Sequence, residues 1–551
     1  MSSRGLSQLA IGTTSAEALR MMRRTILAAA IWSSVAYAQP PHEVPSSDDS
    51  DGPEARSMLP IRLDDVIEVA VRQAPDLMRA KIDRVAALDA AEGQGRAQAW
   101  ILSSAANLTR SGVADHTEVA PSAVVSEDTI GVSLGIGRNL PTGGSFSLEL
   151  GVQHTKQEFN AVTGLTTANQ TMPMPSPAGT DSQGHPLDTL DQSQSSLKAT
   201  LKQPLLRGFG PGVALAPQHK ADLAASEATV KAQLAAEQMV KDVVDAYWDL
   251  SYAAFEVDVR QQALELARKQ ELLTHEQMRA GAAPSTAIDQ VTYELATREE
   301  ALLAAQLALE QKSLELRRKA GLELGRRDIV MQPGEPFEIG REEFDVDEVL
   351  ERSHQANRQL ASVQLEKKLA DVDVAVAEDA MKPQVDLNVS GALIGFGPDT
   401  GDSLSGIGNG DSYQVTAGLS ISLELSGAAR KNRDAALAKR RRLDVDRADL
   451  VRQIDSAVVT SVHTVTAART RVALADKAIA VAEEVVRTER ASFIANRSSN
   501  IQVLKQQTAL VEARLRRGKA IIDYHQAVAQ LQFLSGTLLE QYRVNVRTRR
   551  S

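Results

Sequence analysis

Between Gln218 and Gly281 the chain runs without an internal glycine or proline, and alanine, leucine, glutamate, glutamine, lysine and valine dominate it. That composition is a helix interior. Within it Met239, Val243, Ala246, Leu250, Ala253, Val257, Leu264 and Ala267 recur at steps of four and three, with Arg260 filling one slot. This is the 3.5-residue period of a coiled-coil seam. At about 1.5 Å per residue the helix is about 100 Å long, several times the diameter of a compact domain. No single globule can contain it.

The same helix occurs twice. Moving 215 positions along carries the seam onto Ile454, Val458, Ser461, Val465, Ala468, Val472, Ile479 and Ala482, with Ala475 in the Arg260 slot. The same step carries Gly212 to Gly427 and Gly321 to Gly536. A repeat held at one offset is duplicated architecture. It makes this 551-residue chain one elongated body of two repeats, 61–343 and 344–551.

Ahead of the repeats, Arg23 and Arg24, the apolar run Thr25–Val35 and Ala36-Tyr37-Ala38 read as a signal peptide over residues 1–38. Met21 or Met22 is the better start, and the mature chain is expected to begin at Gln39. The apolar run is shorter than the roughly 20 residues a membrane span needs. The chain has no cysteine, which removes thiolate metal sites, thiol nucleophiles and N-terminal lipidation. Residues 39–60, rich in proline, serine and aspartate, are expected to be a disordered lead-in.

Each repeat opens with a helix, expected over about 64–98 and 346–381, and then changes period. Val385, Leu387 and Val389 alternate with polar residues, as do Tyr413, Val415, Ala417, Leu419, Ile421 and Leu423. The first repeat has Ile130 to Ile136, Phe146 to Leu150 and Leu197 to Leu201, and a weaker pattern over 99–109. Alternation of this kind builds a sheet with one apolar and one polar face, in a membrane barrel or a half-buried soluble sheet. Residues 155–193 and 397–411 read as loops. The opening helices align at an offset of 282 against 215 for the long ones, so the first repeat carries about 67 extra residues in its strand region. Half-length helices follow at 285–320 and 500–535. The first and the 346–381 helix, laid end to end, match one long helix; 500–535 and 64–98 match the other. The linker 322–343 would then sit at mid-height.

This plan resembles the TolC-like family of outer membrane efflux proteins. Gln203-Pro204-Leu205-Leu206-Arg207-Gly208-Phe209-Gly210 resembles a phrase common in that family, and Met278-Arg279-Ala280-Gly281 and Phe493-Ile494-Ala495-Asn496 resemble its helix-tip turns. The resemblance covers roughly residues 60–540. It implies mainly α architecture with β: antiparallel coiled-coil hairpins, and strands from three chains forming a 12-stranded transmembrane barrel in outer membrane lipid. The expected function is a passive exit duct for efflux or type I secretion. A homotrimer would dock its tips on a periplasmic adaptor and, through it, on an inner-membrane pump. Arg279, Gly281, Ala282, Asn496 and Arg497 become docking candidates. Asp289, Phe493, Gln502 and Lys505 become gate candidates. The family's second tip carries two acidic residues where this chain has Gln502 and Lys505, so an acidic entrance ring is not expected. Four to six strands cannot close a barrel alone, which independently demands assembly.

Other signals are weaker. The formal net charge of −10 argues against a nucleic-acid partner. Gly208 to Gly212 lacks the βαβ frame of a dinucleotide loop and reads as a turn needing positive φ. Met172, Met174 and His185 offer soft-metal ligands only within a solvated loop, and Lys439–Arg442 reads as a solvated helix face. Tyr247 and Trp248 read as interhelical packing. No catalytic set or cofactor motif appears, so no enzyme is expected. The alternative to a duct is a periplasmic scaffolding coiled coil whose sheets never enter a membrane.

Overall fold

A computed structural model describes residues 57–112, 124–160, 179–180, 186–281, 286–322, 329–410, 412–495 and 497–544. The signal peptide and Met172, Met174 and His185 lie outside these residues.

The long helices are α3 (Ala216–Arg279), of 64 residues, and α8 (Ala428–Ile494), of 67. Half-length helices α4 (Thr286–Lys319) and α9 (Asn500–Leu534) turn back from their tips. Each opening helix is two pieces, α1 (Leu63–Gln73) with α2 (Pro75–Gly95), and α5 (Val346–Ala356) with α6 (Arg358–Asp379). Pro75 forces Ala74 into an extended conformation (ψ 123°) and breaks the first. At the second, Asn357 is extended, and its Oδ1 accepts from the N–H groups of Gln359 and Leu360.

Those breaks receive the ends of the half-length helices. Gly321 closes α4 at φ +74°, and a Cβ there would stand 2.5 Å from the Gln73 carbonyl oxygen. Gly536 closes the other at φ +70°, 2.7 Å by the same measure from the Ala356 oxygen. The half-length helices therefore meet end to end within each repeat, α4 with α1–α2 and α9 with α5–α6. This corrects the pairing across repeats that the lengths suggested. Nearly equal lengths fit either arrangement. Four helices stand abreast at each level, in the order α2, α3, α6, α8 above and α4, α3, α9, α8 below.

The apolar core sits at mid-height. Ile67, Tyr247, Leu250, Leu316, Ile454 and Leu531 are all within it and nearly solvent-free. A short parallel pair, β1 (Ser57–Ile61) with β6 (Ile329–Pro333), closes over it. Residues 57–60 are thus a strand where a disordered lead-in was expected. Trp248, midway along α3, stacks face to face on His525 of α9, and Phe337 of the linker lies beside the indole. The packing role read for Trp248 is what these contacts show. Burial pushes the His525 imidazole down to about 4, against the weaker opposing effect of its Glu338 carbonyl contact. Glu237, 1% exposed, is held by Arg358.

Six long strands form one antiparallel sheet: β2 (Ile101–Gly112), β3 (Val124–Asn139), β4 (Ser145–Asn160), β5 (Pro186–Pro204), β7 (Gln384–Gly397) and β8 (Ser412–Ser422), in that order across it. Four per chain would make a 12-stranded trimer; the extra residues of the first repeat supply a further hairpin. Strands β4 and β5 also extend into the expected loop 155–193, because the ladder continues where side chains turn polar. Helix α7 (Thr400–Asn409) occupies most of the expected loop 397–411.

The two faces differ. One row across all six strands is Leu102, Ile136, Leu148, Ala199, Gly391 and Val415, and its neighbours are similarly apolar. On that face Leu102 is 78% exposed and Val415 72%. The opposite face carries Ser103, Asn107, Ser133, Ser147, Ser196, Thr200 and Thr416. At the end far from the helices α7 lies flat on the apolar-side rows. Ser195 Oγ is 2.7 Å from Ser403 Oγ, and Gly395 and Gly397 provide the space the helix backbone fills.

Candidate functional site

Two features of this fold bear on function: the junction where sheet becomes helix, and the tips of the two hairpins.

At the junction β5 ends in the Gln203–Gly210 phrase. Gly208 (φ +83°) and Gly210 (φ +96°) turn the chain into α3, as the turn reading required. The Gly208 N–H donates to Asp379 Oδ2 at 2.6 Å, tying this turn to the end of α6. The turn between β3 and β4, residues 140–144, docks on it. Gly210 N–H donates to the Thr142 carbonyl at 3.1 Å, and Thr142 Oγ1 donates to Gln203 Oε1 at 2.8 Å. A side chain at Gly143 would strike the Gly208 oxygen. Trp100 lies at this level on the apolar side, edge-on to Phe146 with Arg138 over its ring. An aromatic pair with a cation, at one rim of an apolar band, is the chemistry of a bilayer interface. Lys439 and Arg440 of α8 pair with Asp373 and Asp371 of α6, a polar helix face as read.

At the tips, Gly281 ends the first hairpin's long helix at φ +72°, with open space around the position a Cβ would take. Arg279 and Arg497 are exposed; the Arg497 N–H closes the second tip onto the Ser492 carbonyl at 2.8 Å. Ala282 and Asn496 lie outside the described residues. Phe493 is buried, and its carbonyl accepts from Gln277 Nε2 at 3.1 Å, joining the hairpins at their ends. Gln502 and Lys505 are exposed on α9, as is Asp289 on α4. Among the described residues neither Lys505 nor Asp289 has an ion-pair partner within the chain.

Above the tip lies a buried polar layer. Gln270 Nε2 of α3 donates to Asn500 Oδ1 of α9 at 2.8 Å. Arg298 of α4 pairs with Glu294, and its Nη1 donates to the Ala263 carbonyl and to Gln507 Oε1, each at 2.9 Å. Gln270, Thr274, Arg298, Asn500 and Gln507 are all buried, yet Gln270 Oε1, Arg298 Nη2 and Asn500 Nδ2 have no partner among the described residues. The seam's steps of four and three lead from Ala267 to Glu271 and Thr274; Thr274 is buried on it, Gln270 is buried one residue off the step, and the equivalent of Gln270 in the second repeat is Val485. A polar residue on the seam at Thr274 is visible in the sequence, whereas the partners of Gln270 come from another helix.

Duplicated helical hairpins, four helices abreast and an antiparallel sheet with one apolar face define a TolC-like fold. The solved structures agree. The outer membrane protein VceC from Vibrio cholerae superposes with a TM-score of 0.62 at 16% identity, over 86% of this chain and 96% of that one. The CmeC outer membrane channel of Campylobacter jejuni gives 0.62 at 12% over 90% and 94%, and the open state of the MtrE outer membrane channel of Neisseria gonorrhoeae 0.61 at 15% over 91% and 98%. Residues 349–537, almost all of the second repeat, carry the outer membrane efflux protein domain. No curated protein matches the chain in sequence. Two of these neighbours are outer membrane channels and the third is an outer membrane protein. Among the described residues no helix is long and apolar enough to cross a membrane.

Proposed function

We propose that this protein is the outer membrane exit duct of an efflux or secretion assembly, with its helices in the periplasm. The observation that carries the reading is the two-faced sheet continuous with the helices. An apolar face this large on a water-soluble monomer would aggregate, whereas against lipid it is stable. The polar face then lines a passage that runs on between helices. One chain cannot close such a wall, so the duct is a homotrimer.

Opening takes place at the tips. The buried polar layer joins the α3/α4 hairpin to α9. Its unpaired atoms each cost about 1–3 kcal/mol while dry, and separating the hairpins would return them to water. The layer therefore lowers the cost of parting the hairpins. The docking surface for a periplasmic adaptor, which links the duct to an inner-membrane pump, is the tip region of Arg279, Gly281, Ala282, Asn496 and Arg497, of which Arg279, Gly281 and Arg497 are described and exposed.

Membrane fractionation followed by unheated gels and planar bilayers tests the reading. Heat-sensitive trimers in the outer membrane that form pores are expected. A water-soluble, monodisperse monomer would instead favour the scaffolding alternative. Gly281→Trp should then abolish adaptor crosslinking while leaving trimers in place, and unchanged crosslinking would count against docking at the tips.

A further inference from the structure

The sheet has two free edges, β2 and β8, and their character is informative. Every residue of β2 is exposed, as is β8 from Tyr413 to Ser422. Free edges on soluble proteins are guarded by charge, proline or irregularity. Here β8 has no charged residue and no proline, and β2 has only Arg110, near its far end. The edges match in length, at 12 and 11 residues. With six strands alternating in direction, they also run oppositely. The β8 edge of one copy beside the β2 edge of the next would continue the antiparallel order without a fault.

The extra hairpin is part of this wall. β3 pairs with β2 along the whole of β2, and β4 pairs with β5 from Ser145 to Asn160, so no other strand reaches β5 on that side. The apolar rows pass through β3 and β4 in phase with those of β5, β7 and β8. The short turn at 140–144 anchors the hairpin on the junction, while the connections at the far end are longer, as in outer membrane barrels.

Width supports the same conclusion. Six strands about 4.8 Å apart and tilted about 40° cover about 38 Å of circumference. Four helices abreast at about 9–10 Å cover about 36–40 Å. Four strands would cover only about 25 Å and force the passage to narrow at the junction.

We infer that three copies of this chain join β8 to β2 and close an eighteen-stranded wall, wider than the twelve-stranded barrel that four strands per chain would give. The inference rests on the exit-duct reading and sharpens it: the outer mouth has a diameter about 1.5 times that of a twelve-stranded barrel, and it matches the helical passage below. Such a mouth admits bulky solutes or a looped polypeptide without a bottleneck in the membrane.

The absence of cysteine makes the test clean. Ala105→Cys on β2 and Thr416→Cys on β8 lie on the polar face, mid-edge. A flexible bismaleimide should link the double variant A105C/T416C into covalent trimers, and neither single variant. Pairing Ser147→Cys on β4 with T416C should give none. Electron microscopy of the trimer in nanodiscs should count eighteen strands. Trimers linked through the β4 pair but not the β2 pair, or twelve strands in the wall, would overturn the inference and leave the duct reading intact. Absence of trimers from the parent protein would overturn both.

Discussion

Arg298 and Gln507 meet between the two hairpins, the guanidinium Nη1 2.9 Å from the amide oxygen, with both side chains buried. Removing one partner leaves the other unpaired in a dry site, at a cost of about 1–3 kcal/mol, whereas removing both with apolar residues is nearly neutral. Arg298→Leu and Gln507→Leu should each speed amide exchange along residues 497–510 and raise resting conductance. The double variant should recover part of the loss. Additive effects in the double-mutant cycle would mean that the two residues do not work as a pair.

Lys505 and Asp289 stand exposed on the two hairpins without ion-pair partners among the described residues of the chain, and we propose that they pair between copies when the mouth is shut. One exposed pair contributes only about 0–1 kcal/mol, but threefold symmetry repeats it at a narrow opening. Lys505→Glu should raise resting conductance in planar bilayers and shift selectivity toward cations. Adding Asp289→Lys should partly restore closure. Conductance and ion preference equal to the parent in both variants would place the gate elsewhere.

The stacked His525 gives the mid-height core a pH dependence of known sign. Its folded value of about 4 lies below the ordinary 6.5, so the unfolded chain binds more protons between those values. Its contribution is whole above about pH 6.5 and is lost as pH falls toward 4, amounting to about 2 kcal/mol by pH 5. Thermal unfolding in detergent at pH 7.5 and pH 5 should show a larger drop for the parent than for His525→Phe, which keeps a ring against Trp248. Equal drops would show that the imidazole is not the responsible group.

Helix α7 lies on the sheet only because small residues leave room for it. A side chain at Gly395 would meet the Ser403 oxygen at 1.9 Å and the Ile407 nitrogen at 2.8 Å, both backbone atoms that cannot yield locally. Gly395→Val should release α7 and expose 398–411 to protease from outside the cell, with trimer yield unchanged. Protection equal to the parent would argue that the helix is held by something other than this contact.

The long helices, their repeat and the two-faced strands were legible because each imposes a period on the sequence. The ends of elements were less so. Helix lengths could not distinguish pairing within a repeat from pairing across repeats, since both sums come to nearly the same reach. Only the contacts of Gly321 with Gln73 and Gly536 with Ala356 decide it. The added hairpin was visible as surplus length, but periodicity alone did not say that its strands join the same sheet. At the tips the sequence pointed to the turn residues and to Phe493, Gln502 and Lys505, while Gln270, Arg298, Asn500 and Gln507 come together from three helices through tertiary packing.

The pair formed by β1 and β6 joins Ser57 to Ile329. A strand at Ser57 must wait, during synthesis, until the first repeat up to Ile329 has followed it. Contacts this distant in sequence are closed late, because the loop between them must be ordered first. The mid-height core is therefore among the last parts to set, and until then the apolar strands of the first repeat are exposed. On the exit-duct reading, the first half of the chain is the part that needs shielding longest, and the completion of β6 sets the earliest moment at which that need can end.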